Sequence, residues 1–348
     1  MMNMREVAAA VGGIRQGEDV VFSSVSTDTR SYLAGKLFVA LRGARFDAHA
    51  LLPDAAAQGA AGAMVEKSAA LSGLPEGFPV VRVDDSRLAL GTLAASWRRR
   101  FGLPLIGVTG SNGKTTVKEM CAAILRAHYR THQDAVLATQ GNLNNDIGVP
   151  LMLLRLGEQH RAAVIEMGMN HPGEIAYLAG LAAPTVAVVT NAQRAHLAGM
   201  GALDAVAREK GSILSALRAD GVAVINADDP HCSYWRDQCQ GVKCLSFGFD
   251  AGSDIRVRFN SLAFGSRVTL TTPEGEVGFQ LDIPGVHNVR NAAAAAAATL
   301  AAGVPLTAVA RGLENFSGAK GRLQVRQARS GAIVLDDTYN ANPDSVRA

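Results

Sequence analysis

Gly113, Lys114, Thr115 and Thr116 set a flexible backbone, a long cation and two hydroxyls side by side, which is the equipment for holding a polyphosphate. Glycines let backbone N–H groups close around an anion, and the start of a helix adds positive potential. The Lys114 ammonium has the reach for terminal phosphates, and the Thr115 hydroxyl can ligate magnesium. The spacing is Gly107-x-x-Gly110-x-x-Gly113-Lys114-Thr115, a tighter variant in which Val108 stands where the usual loop has a glycine. An apolar run, Leu103 to Val108, leads in, and a helical pattern through Val117, Met120, Ala123 and Ile124 leads out. A strand, a glycine turn and a helix in that order bind nucleotide phosphates; the plain alternative is an ordinary strand–helix turn.

Other polar residues stand at strand ends, where open parallel sheets bind their ligands. Glu166 closes the apolar run Ala163 to Ile165, beside the phosphate loop, and can hold magnesium or cap a neighbour. Asn191 and His196 follow the next apolar run; His196 is either a ligand or a packed histidine. Lys210, in Ala207-Arg208-Glu209-Lys210-Gly211-Ser212, reads on its own as a solvated helix lysine. The loop Thr139-Gln140-Gly141-Asn142-Leu143-Asn144-Asn145-Asp146 is amide-rich, which suits either Asx turns or recognition of a polar substrate. Asn288 and Asn291 open an alanine-rich helix as helix-start residues or as readers of an adenine edge. Asp336-Asp337-Thr338-Tyr339-Asn340 resembles a ligand edge more than a plain turn.

The elements that position these residues follow from composition and period. A chain of 348 residues is too long for one ordinary core. With 48% hydrophobic and 19% charged residues it is a well-packed globular protein. The net charge of +3, with both signs interspersed, gives no argument for nucleic acid. Arg98-Arg99-Arg100 is the densest basic run and suits a helix end. Met1 to Ala10 lacks the apolar core of a signal peptide, and no stretch reaches the roughly 20 apolar residues that span a bilayer. Cys121, Cys232, Cys239 and Cys244 form no paired Cys-x-x-Cys clusters, so they read as free thiols of a reducing cytoplasm and not as a zinc site.

The fold class is α/β. Residues 1–102 read as a small α/β domain with strands at 37–41, 63–65 and 80–83 and helices at 48–59 and 86–100. Residues 103–316 alternate strand and helix as a parallel sheet covered on both faces, with an antiparallel patch over 254–283 and two closing helices near 286–302 and 305–314. Residues 317–348 hold two more strands, 323–325 and 332–336, and read as the incomplete beginning of a Rossmann-like third domain. This reading expects a piece of a longer protein.

Together the segments resemble the Mur ligases, ATP-dependent enzymes that build the peptide of bacterial cell-wall precursors. Gly110-Ser111-Asn112-Gly113-Lys114-Thr115-Thr116 resembles a loop that this family shares with folylpolyglutamate synthases. Gln140 to Pro150, Glu166 to Ile175 and Asp336 to Ser345 resemble the branch that joins D-alanyl-D-alanine to UDP-N-acetylmuramoyl-tripeptide. The likeness runs from about residue 23 to the last residue. It implies ATP and magnesium as cofactors, those two substrates as partners, no nucleic acid or membrane insertion, and a monomer. It implies that Gly110, Ser111, Asn112, Gly113, Lys114 and Thr116 hold phosphates. Thr115, Glu166, His196 and Lys210 would serve magnesium, Lys210 as the lysine that family members carbamylate, which overturns its plain reading. Lys114, Lys210 and His196 would be the catalytic groups. Asn288, Asn291, Arg322, Asp337, Tyr339 and Asn340 match nucleotide contacts. Ser26, Thr27, Asp28, Thr29, Arg30, Arg42 and Gly43 match the region that takes the uridine diphosphate end. Asn142, Asn144, Asn145 and Asp146 are expected to meet substrate. One departure is Ala198, where many relatives carry Glu; a second is the mostly missing third domain, from which inactivity of this polypeptide by itself is expected. Two rival readings remain: another amide ligase of the family, which adds a single amino acid, and a nucleotide-binding module without ligase chemistry.

Overall fold

The computed structural model describes residues 1–132, 134–195 and 197–339. His196 and Asn340, both expected at the site, lie outside the described residues. Contacts divide the chain into two units, one made of residues 1–102 with 146–156, the other of 103–145 with the chain from 157 onward.

The first unit opens with β1 (Met2–Asn3) and α1 (Met4–Val11), whose first turn is closed by a capping box: the Asn3 side chain accepts from Glu6 N–H while the Glu6 carboxylate accepts from Asn3 N–H. Then come β2 (Ile14–Gln16), β3 (Val21–Phe22), β4 (Val25–Ser26), β5 (Leu37–Val39), α2 (Leu52–Ala57), β6 (Gly62–Glu66), β7 (Val80–Val83) and α3 (Ser86–Arg98). A five-stranded sheet has the order β2-β7-β6-β5-β4, parallel from β4 to β7 with β2 antiparallel at the edge. The helix expected over 48–59 is a 3-10 turn, Ala48–Leu51, running into α2, where Pro53 sits in the first turn. Proline has no N–H to lose there, and its fixed φ suits a helix start. Asp85 caps α3 by accepting from the N–H groups of Arg87 and Leu88.

The second unit starts with β8 (Leu105–Thr109), α4 (Lys114–His128) and β9 (Val136–Ala138); the next helix, α5 (Gly148–Leu153), groups with the first unit. β10 (Ala162–Glu166), α6 (Glu174–Ala182), β11 (Val186–Val189), α7 (Leu197–Met200), α8 (Leu203–Gly211), β12 (Val222–Asn226), α9 (Cys232–Gln238) and β13 (Lys243–Gly248) alternate strand with helix. β14 (Ile255–Leu262), β15 (Gly265–Thr272) and β16 (Gly275–Leu281) form the antiparallel patch, followed by α10 (Val286–Ala301) and α11 (Leu306–Glu314). β17 (Gln324–Gln327) and β18 (Ile333–Asp336) pair antiparallel in a sheet of their own.

The nine-stranded sheet runs β16-β15-β14-β13-β12-β11-β8-β10-β9, parallel from β9 through β14. The chain leaves β8 to build β9 and β10 on one side, then crosses to β11 on the other. β8 therefore sits at the topological switch, and the crevice at its carboxyl end is where such a sheet takes a ligand. Strand register carries Glu166 opposite Val108 and Val189 opposite Thr109, so both neighbouring strands end beside the phosphate loop. α4 is held from behind by the alanine-rich α10. Ala292 to Ala298 are all buried, and the Cys121 thiol of α4 lies 3.9 Å from the Ala295 carbonyl. Seven small side chains let the two helices approach closely, which is why that run is alanine. All four cysteines carry free thiols. Among the described residues no helix is long and apolar enough to cross a membrane.

Candidate functional site

The loop Gly110–Gly113 is built by its neighbours. Its first peptide groups are strapped to the end of β11: Ser111 N–H donates to Asn191 O (3.0 Å) and Asn112 N–H to Asn191 Oδ1 (2.9 Å). Thr190 Oγ1 and Asn191 Nδ2 both donate to Asn112 O, at 2.7 and 3.0 Å. Asn112 Nδ2 donates to Gln193 Oε1 (2.6 Å), and Ser111 Oγ accepts from Gln193 N–H (2.9 Å). The side chains of Ser111 and Asn112, expected on phosphates, thus shape the loop by holding Gln193.

Two glycines are required by this geometry. Gly110 has φ +150° and Gly113 φ +82°, and a Cβ on Gly110 would collide with Thr190 Oγ1, one on Gly113 with Asn291 Oδ1. Gly113 is the N-cap of α4 and brings no side chain to satisfy the first-turn N–H groups. The start of α4 therefore presents donors and the positive end of the helix dipole to whatever lies in front of it.

What lies in front is a cavity lined by the sequence-predicted Asn112, Gly113, Thr116, Asn288, Asn291, Arg322 and Asp337. Asn288 and Asn291 are buried and bonded to each other: Asn291 Nδ2 donates to Asn288 Oδ1 (3.2 Å), and Asn288 Nδ2 donates to Pro284 O (2.7 Å). Arg322 stacks its guanidinium 4.2 Å from the Tyr339 ring centre, and its buried Nε has no hydrogen-bond partner. Asp337 accepts from Leu323 N–H at 3.3 Å.

Lys114, Lys210, Arg322 and Glu166 share one electrostatic neighbourhood. Lys114 Nζ is folded back onto its own loop, donating to Gly110 O (2.8 Å) and Ser111 O (3.2 Å). Burial lowers its pKa from the usual lysine value, Glu166 opposes the shift and Arg322 adds to it. Lys210 is 1% exposed, against the solvated lysine that its charged sequence neighbours suggest. Burial, with Lys114 as the next cause, pushes its pKa well below the ordinary 10.5, while Glu209 pulls it back. Glu209 is itself buried, and its carboxylate is satisfied there: it accepts from Gly173 and Ile175 N–H, both at 2.8 Å, and so caps α6. Glu166 is 3% exposed; Oε1 accepts from Asn144 Nδ2 (2.9 Å), and Oε2 is buried with no hydrogen-bond partner. Two depressed lysines, an arginine with an unpartnered Nε and one orphaned carboxylate oxygen are the signature of a site short of an anion and a cation.

The amide-rich loop does not form one cluster. Asn144 turns to Glu166, the Asn142 carbonyl accepts from Asn144 N–H (2.7 Å), Asn145 is exposed, and Asp146 belongs to the first unit, where Arg87 Nη2 donates to it at 2.9 Å. In the first unit, Asp28 takes Arg30 Nε (2.9 Å) and Nη2 (2.8 Å), which holds its carboxyl at a pKa of about 2. Ser26 is buried at the same turn, its hydroxyl 3.0 Å from that of Ser31, and Thr27 and Thr29 are half-buried. Arg42 pairs with Asp47 (2.9 Å) and Glu66 (3.1 Å), and Gly43 N–H donates to Phe46 O (2.8 Å).

Sequence reasoning missed Thr190, Gln193, Phe247, His287 and Arg290, which complete the cavity wall, and gave Asn191 no role. Their signal was weak. Thr190, Asn191 and Gln193 follow an apolar strand, as Glu166 does, but no residue spacing announces that they hold a loop some 80 positions away.

The Mur ligase middle domain family matches residues 108–299. The chain is 43% identical over 332 residues to the UDP-N-acetylmuramoyl-tripeptide–D-alanyl-D-alanine ligase of Haemophilus influenzae, covering 95% of this chain and 71% of that protein. It is 41% identical to the Escherichia coli protein of the same name, covering 100% and 75%. Its fold matches a crystal structure of MurF from Acinetobacter baumannii with a TM-score of 0.92 and 38% identity, over 100% of this chain and 75% of that one. It also matches MurF from Thermotoga maritima in complex with ADP with a TM-score of 0.81 and 27% identity, over 95% and 74%. The chain spans about three quarters of these proteins.

Proposed function

Because the chain belongs to the Mur ligase family, we propose that it acts as an ATP-dependent amide ligase, joining D-alanyl-D-alanine to UDP-N-acetylmuramoyl-tripeptide in peptidoglycan precursor synthesis. One observation supports this reading above the rest: the uncapped start of α4 faces a cavity walled by Asn288, Asn291 and Arg322, with Lys114 and the orphaned Glu166 oxygen in the same neighbourhood. The tripeptide carboxylate attacks the γ-phosphorus of ATP and ADP leaves. The amine of D-alanyl-D-alanine then attacks the acyl phosphate carbon, the C–N bond forms, and phosphate departs with the C–O bond. Lys114 gives up its two loop carbonyls for the phosphate oxygens, and its charge follows the charge that develops there. No side chain serves as a covalent nucleophile; the chain supplies position, charge and exclusion of water from the acyl phosphate.

The residues present fit a magnesium ion. Glu166 Oε2 is a hard oxygen donor, buried with no hydrogen-bond partner, and the Thr115 hydroxyl, in the first turn of α4, is the proposed second oxygen. When bound, the ion would offset charge on the phosphates. His196 and Lys210 complete the proposed set. The depressed pKa of Lys210 favours the neutral amine, which adds carbon dioxide to give a carbamate and a proton. That converts a buried cation into an anionic ligand.

Residues 1–102 would receive the uridine diphosphate end through Ser26 to Arg30, where Asp28 acts by holding Arg30, and through the Arg42-Gly43 turn. Residues 103–316 would hold ATP, and the stretch from 317 would add Arg322, Asp337, Tyr339 and Asn340 to the nucleotide. Asn142, Asn144, Asn145 and Asp146 are assigned to substrate. The reaction would run in the cytoplasm, on a monomer. The deciding experiment, run on a protein that extends this chain over the full length of its relatives, measures phosphate release from ATP and UDP-N-acetylmuramoyl-tripeptide with D-alanyl-D-alanine against single amino acids. Release that depends on the dipeptide supports the assignment; equal or faster release with a single amino acid overturns it.

A further inference from the structure

Lys118 is a buried cation of α4, one turn beyond Lys114, and nothing in the chemistry above uses it. It is 1% exposed. A lysine is costly to bury, and where packing alone is needed a methionine fills similar space at no such cost. Its Nζ donates to the Thr139 carbonyl at 2.8 Å and to Glu119 Oε1 at 2.5 Å.

Thr139 is the residue just past β9, an edge strand of three residues that pairs with β10 alone. It is itself buried and tied to β10 twice. Its N–H donates to Val164 O (3.0 Å), and its Oγ1 accepts from Glu166 N–H (2.9 Å). Thr139 also begins the loop that delivers Asn144, whose amide donates to Glu166 Oε1. Both holds on Glu166, one on its backbone and one on its carboxylate, therefore start from the stretch that Lys118 pins to α4.

We propose that Lys118 is a positioning residue for the Glu166 carboxylate: it fastens Thr139 to the phosphate-binding helix, so that α4 and the carboxylate keep a fixed separation across a bound nucleotide. The proposal rests on Glu166 as a metal-facing group, so the test separates the two ideas. Manganese binding in the presence of a non-hydrolysable ATP analogue is read by electron paramagnetic resonance, alongside thermal melting, for wild type, Glu166→Gln, Lys118→Met, Lys118→Arg and Thr139→Val. Groups that orient a metal-binding side chain change metal affinity by about tenfold or more. Lys118→Met and Thr139→Val should each weaken manganese binding by about tenfold, with Lys118→Arg recovering part of the loss because it still donates to the Thr139 carbonyl. Should Lys118→Met fail to fold, Thr139→Val decides, since it removes only the hydroxyl that receives Glu166 N–H. If Glu166→Gln weakens manganese binding while folded Lys118→Met and Thr139→Val bind it like wild type, the positioning role is overturned and the metal reading stands. If Glu166→Gln itself binds manganese like wild type, the metal reading falls and takes this inference with it.

Discussion

The two units treat charge in opposite ways. In the first, cations are matched by carboxylates at short range: Arg30 by Asp28, Arg42 by Asp47 and Glu66. Both guanidinium groups stay open to solvent, and the Asp28 carboxyl sits comfortably ionised with a pKa of about 2. In the second, Lys114 and Lys210 are held away from water with their pKa values driven down, Arg322 Nε lacks a partner, and so does Glu166 Oε2. An exposed pair is satisfied in the free protein and must be broken to take a ligand. A buried, unmatched group is satisfied only when a ligand arrives. The second unit therefore keeps groups that an arriving ligand would satisfy, whereas these pairs of the first are satisfied already.

The largest effect should come from removing the cation that the loop keeps in reserve. Lys114→Ala should lower the rate of ATP-dependent phosphate release by about a thousandfold, the scale of losing a preorganised charge at a reacting phosphoryl group. The measurement is kcat in steady state at saturating ATP. A change below about tenfold would mean that the buried cations of the second unit do not meet the transferring phosphate, and the contrast between the units would lose its meaning.

Next in size is the backbone that carries the loop. Gly113→Ala keeps every charge but forces a side chain into φ +82° and against Asn291. Strain of this kind costs about 1–3 kcal/mol. ATP affinity, measured by titration calorimetry, should fall by more than about tenfold, while binding of the UDP precursor holds. Equal losses for both ligands would show that the substitution unfolds the protein instead of reshaping one loop.

The pH dependence of stability offers a finer test. Lys210 has its folded pKa below 10.5, so between the two values the unfolded chain binds more protons than the folded one. Stability contributed by this group is then lowest at low pH and rises towards pH 10.5. Wild type compared with Lys210→Met cancels the titration of other groups. The difference in unfolding free energy should move in favour of wild type as pH rises, with a slope approaching about 1.4 kcal/mol per pH unit inside the window. Urea denaturation across about pH 7–10 in buffer free of carbon dioxide, so that no carbamate forms, measures it, and a flat difference would mean that Lys210 is not held neutral by burial.

The sequence carries one part of this contrast well. The helical pattern that follows Gly113 coincides with α4, Lys114–His128, because a glycine N-cap, a phosphate-loop lysine and an unbroken 3.6 period mark both its start and its register. The strand–helix alternation of the second unit is legible for the same reason: each strand is an apolar run bounded by polar ends. β9 and the shortest strands of the first unit escape, since two or three residues have no period to read. Gly148–Leu153 could not be assigned to the first unit from sequence, because its packing partners, such as α3, lie far back along the chain. Lys210 shows the limit most clearly. Arg208 and Glu209 beside it suggest a wet face, yet Glu209 is turned inward to cap α6, and that contact is tertiary.

The smallest expected effect lies where the charges are already paired. Asp28 and Arg30 form a bidentate pair whose side chains are 45% and 89% exposed, so solvent screens most of its worth. Asp28→Asn should change stability at neutral pH by no more than about 1 kcal/mol. The sign of its pH effect is fixed by the depressed pKa: the pair's contribution is present above the unfolded value of 3.8 and is lost as pH falls through about 2. Melting at neutral pH should therefore barely move, and the wild-type advantage should vanish in acid. The same substitution leaves the Arg30 guanidinium free for a diphosphate. Affinity for the UDP precursor, measured by calorimetry at low salt, should stay level or rise by a few-fold, the opposite of what removing Lys114 or Glu166 does in the second unit. A loss of precursor affinity would make Asp28 a ligand contact in its own right, and the first unit would then hold charge in reserve just as the second does.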